Sequence, residues 1–518
     1  MVWQPELDEL ERRKTLAYRM GGEENIERQR RGGKLTIRER IDRLVDTGTF
    51  RESGVLAGVP TYEDGELTAF RPSNYVMGTG RIDGRRVVVG GDDFTVRGGA
   101  ADGAIGGKSG YAERMAREYK IPIVRLIDGT GGGGSVRTLE NIGRTYVPGN
   151  TAWEHLVASL SEIPVVAAAL GSVAGIGAAR VCASHFSVMV KDISQVFVAG
   201  PPVVAAGMGY EIPKEQLGGS DIHAHGSGAV DNEAESEEDA FNQIRRFLSY
   251  LPQNVWQMPP RCAPGDEPSR REEALLSVIP RERRRVYQVR KMLEMVLDRG
   301  SFFEIARYFG RSVVAGLARL NGYAVGVIAN DPSHYGGGLD SPGSEKMARF
   351  VDLCDTFHLP VVNFSDQPGF VIGVEAERAG TIRKGVLALA AVYQATIPWA
   401  TVIVRRVYGV AGAGHQNHSR HNLRVAWPSG DWGSLPIEGG LEAAYRRDIE
   451  NSPDPIARKA EIEAMLNAVR SPFRTAEAFN IEDIVDPRET RPLLCDWVEN
   501  AYEVEATRLG VKRRGMRV

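Results

Sequence analysis

Two short runs of small residues can do chemistry without any reactive side chain. Ala174-Gly175-Ile176-Gly177 and Tyr408-Gly409-Val410-Ala411 each end an apolar run that opens on an Ile-Pro pair, Ile163-Pro164 and Ile397-Pro398. A buried strand that turns into a helix through such residues leaves backbone N–H groups unpaired at the helix start. Those groups hold a negative oxygen in a transition state, and because the donor is the backbone, Ile176 or Val410 serves as well as glycine. The plainer reading is a tight strand-to-helix turn. Two such turns point to two oxyanions handled in one active site.

Other motifs promise more than they carry. Asp128-Gly-Thr-Gly-Gly-Gly-Gly134 contains GxGxxG, a dinucleotide fingerprint when it follows a strand. Successive glycines satisfy that pattern by composition alone, and a lone match is weak. Gly107-Lys108-Ser109 looks like the end of a phosphate loop, but the first glycine such a loop needs would be residue 102, which is Asp102. An anion near the helix that Lys108 opens stays open as a reading. His415, His418 and His421 would share a face on a helix and suit a metal. No Cys, Asp or Glu nearby completes the set, so a polar helix start beside a pocket is preferred. GxSxG is absent, which removes a nucleophile elbow. No Glu or Asp is evident beside the two small-residue turns, so acid–base hydratase or isomerase chemistry ranks last.

The elements that position these residues come as a repeat. The segment from Gly80 and the segment from Ala318 align without a gap at an offset of 238. Gly84 pairs with Gly322, Asp93 with Asp331, Gly99 with Gly337, Lys108 with Lys346 and Asp128 with Asp366. Further on the offset becomes 234, and Gly175 pairs with Gly409. Apolar β-branched runs predict strands at 85–90, 121–127, 323–329 and 359–364. Helical spacing predicts helices at 108–119 and 344–357, and acids first with Arg245-Arg246 late predict one at 232–248. The stretch 251–280 has the proline-rich, charged composition of a linker.

Composition agrees. A chain of 518 residues is too long for one ordinary core. Lys plus Arg number 64 against 67 Asp plus Glu, so no basic excess exists to neutralise nucleic acid. Its 59 glycines exceed the average usage of about 7%, as a protein with many tight turns requires. Cys182, Cys262, Cys354 and Cys495 are far apart and form no CxxC pair, against a zinc ribbon or disulfide framework. The N-terminus is charged and does not read as a signal peptide. The longest apolar run, 163–179, reads as a buried strand and turn, with no membrane insertion. The expected location is cytoplasmic.

Longer motifs then carry a family. GGKLTIRERIDRLVDTGTFRESG from Gly32, DDFTVRGG from Asp92, VMVKDISQVFVAGPPVV from Val188 and EQLGGSDIHAHGSGAVD from Glu215 occur in order. VDLCDTFHLPVVNFSDQPGF from Val351 and TIRKG from Thr381 follow in the second half. With these, the chain resembles the carboxyltransferase β subunit of biotin-dependent acyl-CoA carboxylases, the propionyl-CoA carboxylase type, over nearly its whole length.

The resemblance implies an α/β fold of two tandem crotonase-like (ClpP/crotonase spiral ββα) domains related by internal duplication. Residues 1–255 would form the acyl-CoA side, 256–280 a linker and 281–518 the biotin side. It implies that carboxybiotin from a partner releases CO2 in the site, that the freed ureido nitrogen takes the acyl-CoA α-proton, and that the enolate attacks CO2. By motif position, Gly175 and Ile176 would serve the thioester oxygen, and Val410 and Ala411 the biotin. Gly131, Gly132, Gly133, Ala174, Gly177, Gly412 and Ala413 are expected to line the substrate site. The resemblance also implies a dimer as the smallest active unit and a ring-like hexamer. The chain carries no AMKM-like biotin acceptor, so a partner subunit with biotin carboxylase and biotin carboxyl carrier functions is expected. It departs from the family at DGTGGGGSVR, from Asp128, and at Gly409 to His421, where Ala413 replaces an Asp. Substrate identity and direction stay open: an acyl-CoA carboxylase, a decarboxylase with the same fold, or a non-catalytic acyl-CoA-binding assembly subunit.

Overall fold

The computed structural model describes residues 2–100, 103–129, 131, 139–140, 143–145, 147, 149 and 153–514. The described chain divides into two compact units, 2–257 and Met258–Arg514. Each is an α/β unit built on one mixed sheet.

The first sheet has seven strands in the order Arg51–Glu52, Tyr75–Ile82, Arg85–Asp92, Ile123–Ile127, Val165–Ala169, Phe186–Val190 and Asn232–Ala234. The second has eight, running from Phe303–Ile305 through Val313–Leu320, Tyr323–Asn330, Val361–Gln367, Trp399–Tyr408 and Leu423–Ala426 to Asp483–Ile484, with Asp431–Gly433 beside Trp399–Tyr408. In both, an antiparallel hairpin leads into parallel strands. Ile123–Ile127, Val165–Ala169 and Phe186–Val190 are buried at every residue, which explains why they are apolar apart from Arg125, paired with Glu113, and Ser187, bonded to Asp231.

The duplication extends to single dihedral angles. Each hairpin turns on two residues with positive φ, Asp83 and Gly84 at 49° and 77°, Asn321 and Gly322 at 50° and 79°. That is the turn whose twist matches its strands. The carboxylate of Asp46 accepts both turn N–H groups in the first unit, and that of Asp298 does so in the second. Downstream, Gly98 and Gly336 take φ of 62° and 63° inside matching single turns. Asp92 Oδ2 accepts from Asp128 N at 3.3 Å, and its counterpart Asn330 Oδ1 accepts from Asp366 N at 3.0 Å.

Most expected elements form. The helix at Lys108–Tyr119 has the expected bounds, and the later one spans Ser341–Thr356. One expectation is corrected: 232–248 is not one helix. Asn232–Ala234 pairs with Phe186–Val190, and the helix Glu237–Tyr250 starts after Ser236, whose hydroxyl accepts from Asp239 N. Local charge pattern favoured one helix, but an open sheet edge and an N-cap divide it. Residues 256–280 are irregular apart from the short helix Leu275–Val278. Among the described residues, no helix is long and apolar enough to cross a membrane.

Candidate active site

In the first unit the chain leaves Val165–Ala169 and forms a short ribbon, Ser172–Ala174, paired with Gln195–Phe197. Gly175 then takes φ 59° and ψ −121°, a conformation open to glycine, and the helix Ile176–Cys182 begins. Gly175 N–H donates to Phe197 O at 3.2 Å. Its expected role as a donor is therefore corrected: Gly175 shapes the turn, and the free N–H groups begin at Ile176. Among the described residues, the N–H groups of Ile176 and Gly177 form no backbone hydrogen bond. Ile176 is 43% exposed, so this corner faces open space.

The second turn repeats that geometry. Trp399–Tyr408 runs into the helix Gly409–Ala413 through Gly409 at φ 60°. Val410 is 60% exposed, and neither its N–H nor that of Ala411 forms a backbone hydrogen bond among the described residues.

The other expected site residues fall out unevenly. Ala174 belongs to the ribbon, opposite Phe197, and Gly177 is buried in the first helical turn. Gly412 is small for packing, since an added Cβ would sit 2.9 Å from the Val407 carbonyl carbon. Ala413 is exposed, and Gly131 is a half-buried bend. Gly132 and Gly133 lie outside the described residues, as does most of the glycine run that matched a dinucleotide motif.

The three histidines do not share a helix face; 415–421 is a turn. The reading of a polar helix start is corrected. His415 is a buried plug: its backbone O accepts from Asn363 Nδ2, Trp399 Nε1 and Thr401 Oγ1, and its Nδ1 lies 2.7 Å from Gly412 O. Burial pushes its imidazole down to about 4, so the ring is neutral at ordinary pH. The lysines shared by the repeat are also internal. Burial pushes Lys108 and Lys346 down to about 8, and Lys346 donates to Ala306 O and Phe309 O.

Sequence reasoning missed the charges beside the first turn. A cavity of about 130 Å³ is bordered by Ile176, Tyr75, Asp92, Glu113 and Arg180, among others. The expectation of no acid beside this turn is therefore overturned. Glu113 is held by Arg125, which donates to both its oxygens at 2.8 and 2.9 Å. Asp92 is 3% exposed, and burial pushes its carboxyl up to about 7, against the pull of Arg180. One signal was readable: the repeat puts Asn330 where the first half has Asp92. A smaller cavity of about 20 Å³ lies beside Ala411, with His415 and Ser365 on its wall.

This geometry meets a known family. Residues 28–516 match the carboxyl transferase domain model, and the chain belongs to that family. It is an enzyme of the biotin-dependent carboxyltransferase class, with the crotonase-like fold in duplicate. It is 35% identical over 496 residues to the propionyl-CoA carboxylase carboxyltransferase subunit of Haloferax mediterranei, covering 95% of each chain. It is 32% identical to the methylmalonyl-CoA decarboxylase α subunit of Veillonella parvula, over 91% of each chain. The solved transcarboxylase 12S, a hexamer with methylmalonyl-coenzyme A bound, superposes with a TM-score of 0.85 at 29% identity, covering 99% of this chain and 96% of that one.

Proposed function

We propose that this chain moves a carboxyl group between a biotin carried by a partner subunit and the α-carbon, or its vinylogous equivalent, of an acyl-CoA thioester. One observation carries the reading. Two turns, one in each unit, use a glycine at φ 59° or 60° to present the next backbone N–H, without a protein acceptor among the described residues, beside an exposed side chain. Ile176 N–H, with Gly177 N–H behind it, would hold the thioester oxygen as it gains enolate charge. Val410 and Ala411 N–H groups fit an acceptor oxygen such as that of a ureido ring. Carboxylated biotin supplies the carboxyl group when bound. Fixed backbone donors need no reorganisation during the reaction, which is where such sites gain rate.

We infer that subunits associate, as a dimer or hexamer, so that the first unit of one subunit faces the second unit of another. Likeness to both a carboxylase subunit and a decarboxylase subunit leaves two directions. The chain is mixed with a biotin carrier, its carboxylase, ATP, labelled bicarbonate and a panel of acyl-CoAs. Label in a 2-carboxyacyl-CoA supports carboxylation. CO2 release from a carboxylated thioester with biotin carrier and no ATP supports decarboxylation. Thioester binding without either reaction leaves an assembly subunit and overturns the catalytic reading.

A further inference from the structure

We propose that the cavity beside the Ile176 turn takes a carboxylate borne by the acyl group, with the Arg180 guanidinium as its counter-ion. This rests on the acyl-CoA reading above and narrows its substrate class. Arg180, Asp92, Glu113, Tyr75 and Ile176 border one space of about 130 Å³. Arg180 has few direct partners in it. Both oxygens of Glu113 are taken by Arg125, at 2.8 and 2.9 Å, and Arg180 reaches that carboxylate only at 3.9 Å. Among the described residues, the hydrogen bond Arg180 makes is to Tyr75 Oη, at 3.2 Å. A guanidinium has five donors. Its side chain is only 11% exposed, and Asp92 and Glu113 favour the cation through space without taking its donors, so among the described residues the guanidinium keeps N–H groups for a guest in the cavity.

Asp92 does not neutralise it at all pH values. Burial raises its carboxyl to about 7, against Arg180, the Asp128 N–H and Arg40, with the Asp128 carboxylate adding to the rise. Below that pH it is a neutral acid, able to donate a second hydrogen bond to an anion that Arg180 holds. Nor does the fold demand these groups. The repeat places Asn330 at the position of Asp92, Val351 at that of Glu113, Asn363 at that of Arg125 and Gly414 at that of Arg180. The second unit builds the same sheet and turn with none of the four charges.

Two carboxylates meet this description, the one on the α-carbon of a 2-carboxyacyl-CoA and one at the far end of a dicarboxylic acyl chain. Calorimetric titration of the full chain at about pH 6.5 separates them. The probes are propionyl-CoA against methylmalonyl-CoA, and valeryl-CoA against glutaryl-CoA. The expected result is a preference of about tenfold or more for the charged member of at least one pair, the size of a charge-assisted hydrogen bond. Which pair shows it names the position of the carboxylate. Arg180→Met should bring that ratio to about one, and Arg180→Lys should restore part of it. Asp92→Asn should tighten the charged thioester at about pH 8, a gain that misfolding cannot mimic. No preference in the parent chain, or a preference that survives Arg180→Met, overturns the inference and leaves the function standing. Failure of every thioester to bind overturns both.

Discussion

Asp92→Asn is the sharpest test of how the first unit is built. The carboxyl of Asp92 ionises near 3.8 in an unfolded chain and near 7 in the folded one, because burial disfavours its charged form. Its folded value is raised. The stability it lends is therefore fully present below the unfolded value and is lost as pH rises through the folded one. Between about pH 5.5 and about pH 8.5 the unfolded carboxyl is ionised throughout. The folded one starts protonated and ends charged. Integrating the proton difference over that interval gives about 1.5 pH units at about 1.4 kcal/mol each, or about 2 kcal/mol lost. Asparagine keeps the acceptor that Asp128 N uses and never ionises; Asn330 already does this job in the second unit. Denaturant unfolding of both proteins at the two pH values is the assay. Asp92→Asn should gain about 2 kcal/mol relative to the parent on going from the lower to the higher pH. An unchanged difference between the two proteins would refute the burial argument.

Ile176→Pro and Ala411→Pro each delete one proposed oxyanion donor within a first helical turn, where proline is tolerated. Each should lower kcat by about 10²–10³ in the coupled carboxylation assay; full activity in both would end the donor assignment. Arg40→Met should cost about 3 kcal/mol in an unfolding titration, since buried Arg40 joins Asp128, Glu237 and Leu170 O, and its loss takes the paired cation from Glu237 and leaves Asp128 with Lys34 alone. Gly98→Ala and Gly336→Ala should each cost about 1–2 kcal/mol from left-handed strain alone, because no atom lies closer than 3.9 Å to either added Cβ. Unequal costs would show that the two turns are not equivalent.

Much of this fold was legible because duplication writes the same instruction twice. A single Asp83-Gly84 or Asn321-Gly322 is an ordinary turn signal; both at one spacing define a hairpin used in each half. The turns at Gly175 and Gly409 were readable for the same reason. The fate of the Gly175 N–H was not, since Phe197, its acceptor, lies on a strand that no local pattern joins to it. His415, His418 and His421 misled because their spacing suits a helix, while buried contacts with Asn363 and Trp399 hold 415 in a turn. The cavity charges were hidden by distance along the chain. Asp92, Glu113 and Arg180 come from a strand and two helices, and only the folded sheet brings them to one wall.

The two units together separate what the backbone does from what side chains do. Both present an N–H after a glycine of nearly equal φ, so the oxyanion geometry is common to the halves and cannot tell one ligand from another. Discrimination must come from the walls. Beside Ile176 the wall carries Arg180 and an acid near neutrality; beside Ala411 it carries a neutral His415 and Ser365, with about 20 Å³ of space against about 130 Å³. A ligand with a charged acyl group matches the first wall. The ureido ring itself, uncharged, matches the second, because a charge buried against that wall would meet no counter-ion among the lining residues. With the acyl carboxylate inferred above, the charge asymmetry matches the thioester to the first unit and biotin to the second without using where the motifs fall in the chain.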